Sequence, residues 1–206
     1  MKVSVIVPVY NDTRIEFCIS SLLEQNYPEE LYEVIIVDNN SIAPIKEVIQ
    51  RFPVIYLQEE KQGSYFARNR GLEIASGDIA AFIDADCIAE PDWLNNLVQC
   101  FEDEHIGGVG GKILKLPPKT WVQTAAEDLA EQQVSPQFLP FFREPYIVTA
   151  NAAYRMSILR ELGCFDTQFQ SGGDVDVAWR VQQKGYQIIT TQDAIVRHAA
   201  RESIRD

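Results

Sequence analysis

The feature that most constrains this chain is a regular alternation of two patterns along its first half. Runs rich in β-branched residues predict strands buried on both faces of a parallel sheet: 3–9, 33–41, 53–58 and 78–87. Segments with apolar residues three and four positions apart predict helices at 13–25, 64–77 and 91–101, with a short helix between the second and third strands. This order predicts an α/β fold with a mostly parallel central sheet, right-handed crossovers and helices on both faces.

Local signals predict where three of these helices begin or end. Thr13 and Glu16, three residues apart, predict a capping box at the start of the first helix. We expect Gly77 to cap the end of the helix at 64–77, and Pro91 to lie in the first turn of the helix that follows it.

Polar residues follow three of the predicted strands at the point where each strand ends. Ligands of parallel α/β sheets bind outside the carboxyl ends of the strands. These ends carry Pro8, Tyr10, Asn11, Asp38, Asn39, Asn40, Ser41, Asp84 and Asp86. Three strands that bring polar residues to the same edge of the sheet predict a ligand site there, and we call this edge the ligand edge.

The second half of the chain is less regular. A glycine-rich strand is predicted at 105–116, and its "GGVGG" (107–111) fits neither a Walker loop nor a dinucleotide fingerprint, so we expect closely packed backbone there. The proline-rich stretch 117–145 predicts a surface excursion with one helix around 121–133. The remaining segments predict a strand and a helix at 146–166, a helix within 172–187 that ends at Gly185, and a strand-like run before His198.

Charge and cysteine usage exclude several classes of protein. The formal net charge of −12 would repel nucleic acid, although a small phosphorylated ligand could bind beside a metal ion or local cations. No apolar run approaches the roughly 20 residues that span a bilayer, and the N-terminal segment alternates like a strand instead of resembling a signal peptide. The four scattered cysteines, without a CxxC pair, predict reduced thiols of a cytoplasmic protein.

Two pairs of acids stand out against this background. Asp84 and Asp86 follow a buried strand, which indicates either a simple turn or a site for a divalent cation such as Mg²⁺ or Mn²⁺. Asp174 and Asp176 begin a predicted helix, where acids favour the helix dipole, but one of them could also act as a general base. The dipole would lower the pKa of Asp174, and nearby Asp176 would raise it. Arg180, four residues after Asp176, predicts an ion pair with it.

Histidine and arginine offer a few further candidates. His105 is expected in an exposed loop, whereas His198 would emerge at a strand end and is a candidate metal ligand. Arg68 and Arg70 lie on a helix that begins near the ligand edge, where one could meet a phosphate or a base; we expect Arg70 to be solvated.

Taken together, these segments resemble family 2 glycosyltransferases with the GT-A fold. The resemblance spans nearly the whole chain, through "VSVIVPVYN", "VDNNS", "GSYFARNRG", "FIDADC", "NAAYRMSILRELGCFD", "GGDVDVAWR" and "VRH". It implies a single domain, 1–206, with a nucleotide-sugar-binding half at 1–104 and an acceptor and catalytic-base half at 105–206.

The resemblance also implies roles for individual residues. Asp174 matches the catalytic base, Asp86 the ligand of Mn²⁺ or Mg²⁺, and His198 a residue that completes the metal site in some members. The residues expected to contact substrate are Pro8, Tyr10, Asn11, Asp38, Asn40, Arg68, Asp84 and Asp176. Of these, Pro8, Tyr10 and Asp38 would line the base and ribose pocket.

Two departures from the family pattern refine the expected function. Gly173 stands where many members carry Glu, so we expect that side of the acceptor pocket to be more open. The QxxRW motif of processive synthases is absent, which favours transfer of one sugar. The expected reaction is inverting transfer from a nucleoside-diphosphate sugar, with UDP favoured, to a glycan, lipid-linked or other hydroxyl acceptor; peripheral association with the inner face of the membrane stays open.

Two other classes compete with this interpretation. A sugar nucleotidyltransferase also places Asp residues at strand ends, but its glycine-rich start is missing after the first strand. A catalytically silent sugar-nucleotide-binding module would fit Gly173, although Asp84, Asp86 and Asp174 are all present. Release of nucleoside diphosphate would identify the transferase, and release of pyrophosphate the nucleotidyltransferase.

Overall fold

One eight-stranded sheet runs through residues 1–115 and 145–198, the part of the chain that the computed structural model describes. The surface excursion predicted at 117–145 lies, apart from Pro145, outside these residues, as do its helix at 121–133 and the chain after His198. The strands are β1 Val3–Val9, β2 Tyr32–Asp38, β3 Ile55–Gln58, β4 Ile79–Ile83, β5 Cys87–Ala89, β6 Ile106–Lys115, β7 Asn151–Arg155 and β8 Gln187–His198.

The strand order across the sheet is β3-β2-β1-β4-β7-β6-β8-β5. Neighbours are parallel at β2–β3, β1–β2, β1–β4 and β6–β8, and antiparallel at β4–β7, β6–β7 and β5–β8. The predicted parallel sheet is therefore confirmed for the first half of the chain, and antiparallel strands join it to the second half. The carboxyl ends of β1, β2 and β4 meet at one edge, as the polar residues predict.

Helices cover both faces of the sheet, as expected from the strand–helix order. Among the described residues they are α1 Ile15–Leu23, α2 Ile45–Ile49, α3 Ser64–Ile74, α4 Trp93–Gln99, α5 Met156–Glu161 and α6 Gly173–Gln183. One apolar cluster packs α1, α2 and α4 against the sheet, and a second packs α3, α5 and α6 against the opposite face. None of the helices within 1–115 and 145–198 has the length and apolar character needed to cross a bilayer.

Strand β1 shows why the β-branched pattern specifies this layered arrangement. Successive side chains of a strand point to opposite faces. Val5 and Val7 accordingly join the cluster under α1, while Ile6 joins the cluster under α3, and all three are fully buried. A run that is apolar at every position can bury both of its faces only in the middle of a three-layer structure.

Two predicted helix caps are wrong, and Pro91 lies before the N-cap Asp92 of α4 instead of in the first turn of that helix. Helix α1 has Arg14 at its N-cap, one residue after the predicted Thr13, and no side chain caps it. The backbone N–H of Arg14 donates instead to Asp12 Oδ1 at 2.9 Å. Helix α3 ends at Ile74, before Gly77, and the chain then continues in an extended conformation. Gly77 instead packs on strand β1, where an added Cβ would lie 2.6 Å from the Ser4 backbone nitrogen.

The glycine-rich strand β6 is closely packed, as its sequence predicts. A Cβ at Gly107 would lie 2.6 Å from the Val181 side chain, and one at Gly108 2.7 Å from that of Ile188. At Gly111, the added atom would collide with the Ala194 carbonyl. These glycines allow β6 to lie directly against β8 and α6, so they serve packing and not phosphate binding.

Asn151 stabilises an irregularity between β6 and β8. The register of this pair shifts between Gly110 and Lys112. The buried Asn151 amide donates to the carbonyls of Lys112 (3.0 Å) and Ala194 (2.9 Å), and its Oδ1 accepts from Trp93 Nε1 at 2.8 Å. One side chain therefore satisfies three polar groups that the irregular ladder and helix α4 would leave without partners.

Replacing Asn151 should destabilise the fold strongly. Asn151→Ala leaves three donors or acceptors without partners, at about 1–3 kcal/mol each when buried. We expect a loss of about 3 kcal/mol or more in the free energy of unfolding, measured by urea denaturation. Asn96→Ala is the matched control, because Asn96 makes one exposed bond to the Asp193 carbonyl and should cost less than about 1 kcal/mol. Equal costs for the two variants would contradict this account.

Candidate active site

The loops at the ligand edge are held together by hydrogen bonds from Asn11. Its Oδ1 accepts from the backbone N–H groups of Ile42 (2.7 Å) and Ala43 (3.0 Å), and its own N–H donates to Ser41 Oγ (2.9 Å). Asn11 and Asn40 have positive φ angles of 53° and 63°, a conformation that asparagine tolerates better than most residues. The two asparagines thus shape the loops after β1 and β2.

Asp38 and Tyr10 lie at the ends of the adjacent strands β2 and β1. Asp38 is buried at the end of β2 and accepts hydrogen bonds from the Ser41 N–H (2.9 Å) and the Tyr56 hydroxyl (3.0 Å). Burial, followed by the contact with Asp38, raises the pKa of Tyr56 to about 12. Tyr10 is half exposed, and its hydroxyl accepts from Gln62 at 3.3 Å. Pro8 pairs with Val37 within the sheet, next to both loops.

The acidic pair after β4 is divided between two sets of partners. Asp84 accepts a hydrogen bond from the buried Arg68 guanidinium at 2.9 Å. Asp86 lies 3.4 Å from His198 Nε2 through one oxygen and 3.4 Å from Arg14 through the other. The antiparallel pairing of β5 with β8 brings His198 beside Asp86, since His198 lies opposite the next residue, Cys87.

Four charged groups act on Asp86. Burial raises the pKa of Asp86, with Asp84 and Asp12 adding to the shift, while His198 and Arg14 oppose it. Burial would also raise the pKa of Asp12, but its hydrogen bonds from Arg14 outweigh that effect and lower it. A carboxylate and an imidazole 3.4 Å apart are ligands that Mn²⁺ accepts, so these residues fit a divalent ion.

Asp174 lies in the first turn of α6, held by Thr149. The Thr149 hydroxyl and backbone N–H donate to its two oxygens, each at 3.2 Å. Burial raises the pKa of Asp174, and Asp84 adds to the shift, although Arg68 and Thr149 oppose it. The acid that contributes to this shift is Asp84, across the site, and the same effect of Asp176 stays a prediction.

Arg68 lies between the two acidic groups. It extends from α3, donates to Asp84, and its positive charge also acts on Asp174. Its guanidinium lies 5.8 Å from the centre of the Tyr65 ring, and its buried Nε finds no partner among the described residues. Asp84 and Asp174 therefore share one buried cation, Arg68.

The neighbouring acid Asp176 has a partner within its own helix. Arg180 donates to Asp176 at 2.8 Å, which confirms the predicted ion pair. Arg180 also donates to the carbonyls of Leu162 (2.8 Å) and Cys164 (2.7 Å) in the loop that precedes α6. Asp176 is therefore linked to this loop through Arg180, and its contact with substrate stays a prediction.

The expectation of an open pocket at Gly173 is wrong, because Tyr65 fills that space. A Cβ at Gly173 would lie 2.7 Å from Cζ of the Tyr65 ring. The Tyr65 hydroxyl accepts a hydrogen bond from the Gly173 N–H at 2.9 Å, and its ring stacks on Phe165 with centroids 5.6 Å apart. Glycine is therefore required where the ring from α3 meets the start of α6.

Several residues at this edge were not identified from the sequence. Arg14, its partner Asp12, and Thr149 are joined to the site by contacts between distant segments. Asp12 and Arg14 directly follow the "VYN" strand end, which is the one signal that could have found them. The surface residues were predicted correctly: His105 is exposed beside Asp103, and Arg70 pairs with exposed Glu73.

Comparison with known proteins gives a consistent family. The family model described as Glycosyl transferase family 2 matches residues 4–163. The chain is 34% identical over 206 residues to the glycosyltransferase AglE of Haloferax volcanii, covering 97% of this chain and 67% of that protein. It is 29% identical over 212 residues to the pre-mycofactocin glycosyltransferase of Mycobacterium tuberculosis, covering 99% of this chain and 44% of that protein. The chain thus spans 44–67% of the length of these relatives.

A solved structure supports the same fold. The mannosyltransferase PcManGT from Pyrobaculum calidifontis, solved in complex with GDP-Man and Mn²⁺, is similar with a TM-score of 0.79 and 26% identity. The similarity covers 98% of this chain and 58% of that one. The predicted GT-A architecture is therefore confirmed.

The raised pKa of Asp174 predicts a stabilising substitution. When folding raises the pKa of a carboxyl group, its protonated form favours the folded state. This contribution to stability is complete at pH values below the pKa of the unfolded chain, and it is lost as the pH rises through the pKa of the folded chain. Asp174→Asn should therefore have a higher free energy of unfolding than the wild type at neutral pH. The gap should close as pH falls below the ordinary pKa of aspartate.

The matched control is Asp176→Asn, two residues along the same helix. It weakens the ion pair with Arg180 and should lower the free energy of unfolding at neutral pH by about 1 kcal/mol. Urea unfolding at several pH values measures both variants. A loss of stability at neutral pH for Asp174→Asn would contradict the stabilising effect expected from its raised pKa.

Proposed function

The chain belongs to glycosyl transferase family 2, and we propose that it moves one sugar from a nucleoside-diphosphate sugar to an acceptor hydroxyl with inversion. The observation that carries this proposal is the convergence of Asp38, the Asp86–His198 pair and Asp174 at one edge of the sheet. A nucleotide site, a cation site and a base are the three components that such a transfer needs. Arg68 donates a hydrogen bond to Asp84, beside the proposed cation site, and its charge also acts on Asp174, the proposed base.

The nucleotide would bind over the carboxyl ends of β1 and β2. Tyr10 and Pro8 offer an exposed ring and a flat apolar surface, and Asp38 offers a carboxylate for polar groups of the base or ribose. The loop conformations set by Asn11 and Asn40 would shape the rim of this pocket. We favour UDP as the nucleotide; a panel of UDP- and GDP-sugars decides between this choice and the guanine nucleotide bound by the solved mannosyltransferase.

The diphosphate would lie toward Asp84 and Asp86. Asp86 and His198 would hold Mn²⁺ or Mg²⁺, which supplies a Lewis acid for the charge that develops on the leaving diphosphate. Arg14 and Arg68 add positive charge on either side of the carboxylates. In a chain of net charge −12, a dianionic diphosphate requires this local concentration of cations.

Asp174 would accept the proton of the acceptor hydroxyl as it attacks the sugar. Its raised pKa makes it a stronger base than an exposed aspartate, while Arg68 opposes that shift and favours the ionised form. Thr149 holds both oxygens and would orient the carboxylate, and Asp176 would contact substrate from the same helix. An acceptor attacking from the side opposite the diphosphate inverts the anomeric centre.

The acceptor class is the broadest part of the proposal. A glycan, a lipid-linked sugar or another hydroxyl compound would satisfy the chemistry, since a carboxylate base requires only a hydroxyl group nearby. Transfer to a panel of such acceptors, followed by mass spectrometry of the product, would identify the class.

Removing the base should abolish transfer and leave donor binding intact. Asp174→Asn keeps the shape of the side chain but cannot accept a proton at neutral pH, so release of nucleoside diphosphate in the presence of acceptor should fall on the order of a hundred- to ten-thousand-fold. Binding of nucleotide and Mn²⁺ should persist. Asp193→Asn, at an exposed carboxylate on β8, is the matched control. Normal transfer by Asp174→Asn together with loss in Asp176→Asn would show that the base is the other acid.

Donor binding should depend on the metal through Asp86. Asp86→Ala removes the carboxylate beside His198 and should abolish the gain in nucleoside-diphosphate affinity that Mn²⁺ provides, measured by calorimetry. Asp193→Ala should retain that gain. Equal affinity of the wild type for the nucleotide with and without EDTA would reject a metal-dependent site.

A further inference from the structure

A thiol lies beside the Asp86–His198 pair. One carboxylate oxygen of Asp86, one ring nitrogen of His198 and the sulfur of Cys87 all lie within 4.8 Å of one another. Asp86 and Cys87 are adjacent in sequence, with the sulfur 4.0 Å from Asp86 Oδ1. Three groups able to bind a metal thus converge at one point, and they include one soft ligand atom.

The pairing of β5 with β8 accounts for this convergence. Cys87 lies directly opposite His198 in the antiparallel ladder, so the two side chains point to the same face of the sheet. Cys87 is fully buried and packs in the cluster under α1 and α4. Its position is therefore set by the sheet and by core packing, not by a flexible loop.

The three ligand types prefer different ions. Mg²⁺ and Mn²⁺ favour oxygen ligands, whereas thiolate sulfur favours softer ions such as Zn²⁺. Zinc sites are commonly built from sulfur, imidazole nitrogen and carboxylate oxygen, and catalytic ones keep a fourth position open. A set of Asp, Cys and His is therefore suited to Zn²⁺ and to its spectroscopic substitute Co²⁺.

We propose that Cys87 is a third protein ligand for thiophilic ions at this site, so that Zn²⁺ or Co²⁺ binds in place of Mn²⁺ or Mg²⁺. The inference rests on the proposed metal site of Asp86 and His198. On binding, the Cys87 thiol gives its proton to solvent and the thiolate sulfur forms a bond to the ion. The identity of the available metal would then regulate the site, because a thiophilic ion occupies the residues assigned to the diphosphate-bound cation.

Cobalt absorption of the full chain tests this directly. A Co²⁺ titration of metal-free protein should produce a sulfur-to-cobalt charge-transfer band in the near ultraviolet, and Cys87→Ala should lack it. Cys100→Ala is the matched control and should keep the band, since Cys100 bonds to the Asn96 carbonyl, away from the Asp86–His198 pair. Cys18→Ala should also keep it, because the Cys18 thiol points to the Asp84 carbonyl at 3.6 Å.

A second variant and a second measurement cover the case in which Cys87→Ala does not fold. Cys87→Ser is closer in size, and near-ultraviolet circular dichroism without metal shows whether each variant is folded. The ratio of Zn²⁺ to Mn²⁺ affinity should fall at least about tenfold in a folded Cys87 variant, as expected when a group that supports a metal is lost. An unchanged ratio, a wild-type Co²⁺ complex without the band, or a band that survives in Cys87→Ala would overturn the inference.

The same experiments separate this inference from the proposed function. If Mn²⁺ binds the wild type and Co²⁺ gives no sulfur band, the soft ligand is absent while the metal-dependent transfer stands. If Mn²⁺ fails to enhance nucleotide binding but the Co²⁺ band appears and is lost in both Cys87→Ala and His198→Ala, the thiophilic site stands without the proposed role of Mn²⁺.

Discussion

The buried guanidinium of Arg68 is the interaction on which the site depends. A buried charge is tolerated only where it is paired, and Arg68 meets the carboxylate of Asp84 while its charge also acts on Asp174. Helix α3 can carry Arg68 to this position because Gly71 lets it pack tightly on strand β1, where any Cβ would lie 2.6 Å from the Ile6 side chain. One helix from the first half of the chain thereby supplies a cation that binds Asp84 after β4 and acts electrostatically on Asp174 of α6.

Concentrating carboxylates at one edge has an electrostatic cost that the protein only partly offsets. Burial raises the pKa of both Asp86 and Asp174, so their ionised forms are disfavoured in the folded chain. Arg14 and Thr149 reduce this penalty by direct contact without removing it. Such destabilised charges are typical of functional sites, where a substrate, a cation or a transferred proton supplies the missing partner. In this member of glycosyl transferase family 2, stability and the proposed activity therefore make opposite demands on the same side chains.

The parts of the fold that were predicted correctly depend on local sequence patterns. Most of the strands, the meeting of polar residues at one edge of the sheet and the ion pair of Asp176 with Arg180 follow from residues close in the chain. Two of the features that were missed depend on contacts between distant segments: Gly77 is held by β1 instead of capping its helix, and the space at Gly173 is filled by Tyr65. No spacing rule encodes such contacts, because they arise only when helices and strands have packed. Thr149, the partner of Asp174, has no local signal for the same reason.

The position of His198 shows how an irregularity far along a strand can determine a site. In the β6–β8 ladder, Gly110 pairs with Thr190 but Lys112 pairs with Ile195, so β8 contains three more residues than its partner over this interval. Side chains alternate between faces with a period of two, so an odd number of extra residues reverses which positions face each side. Before the bulge, Ile188 packs on the α6 face; after it, Ala194 and Val196 pack on the opposite face. His198, two residues after Val196, faces the same side of the sheet. It lies beside Asp86 only because the bulge that Asn151 stabilises has exchanged the faces to which alternate side chains of β8 point.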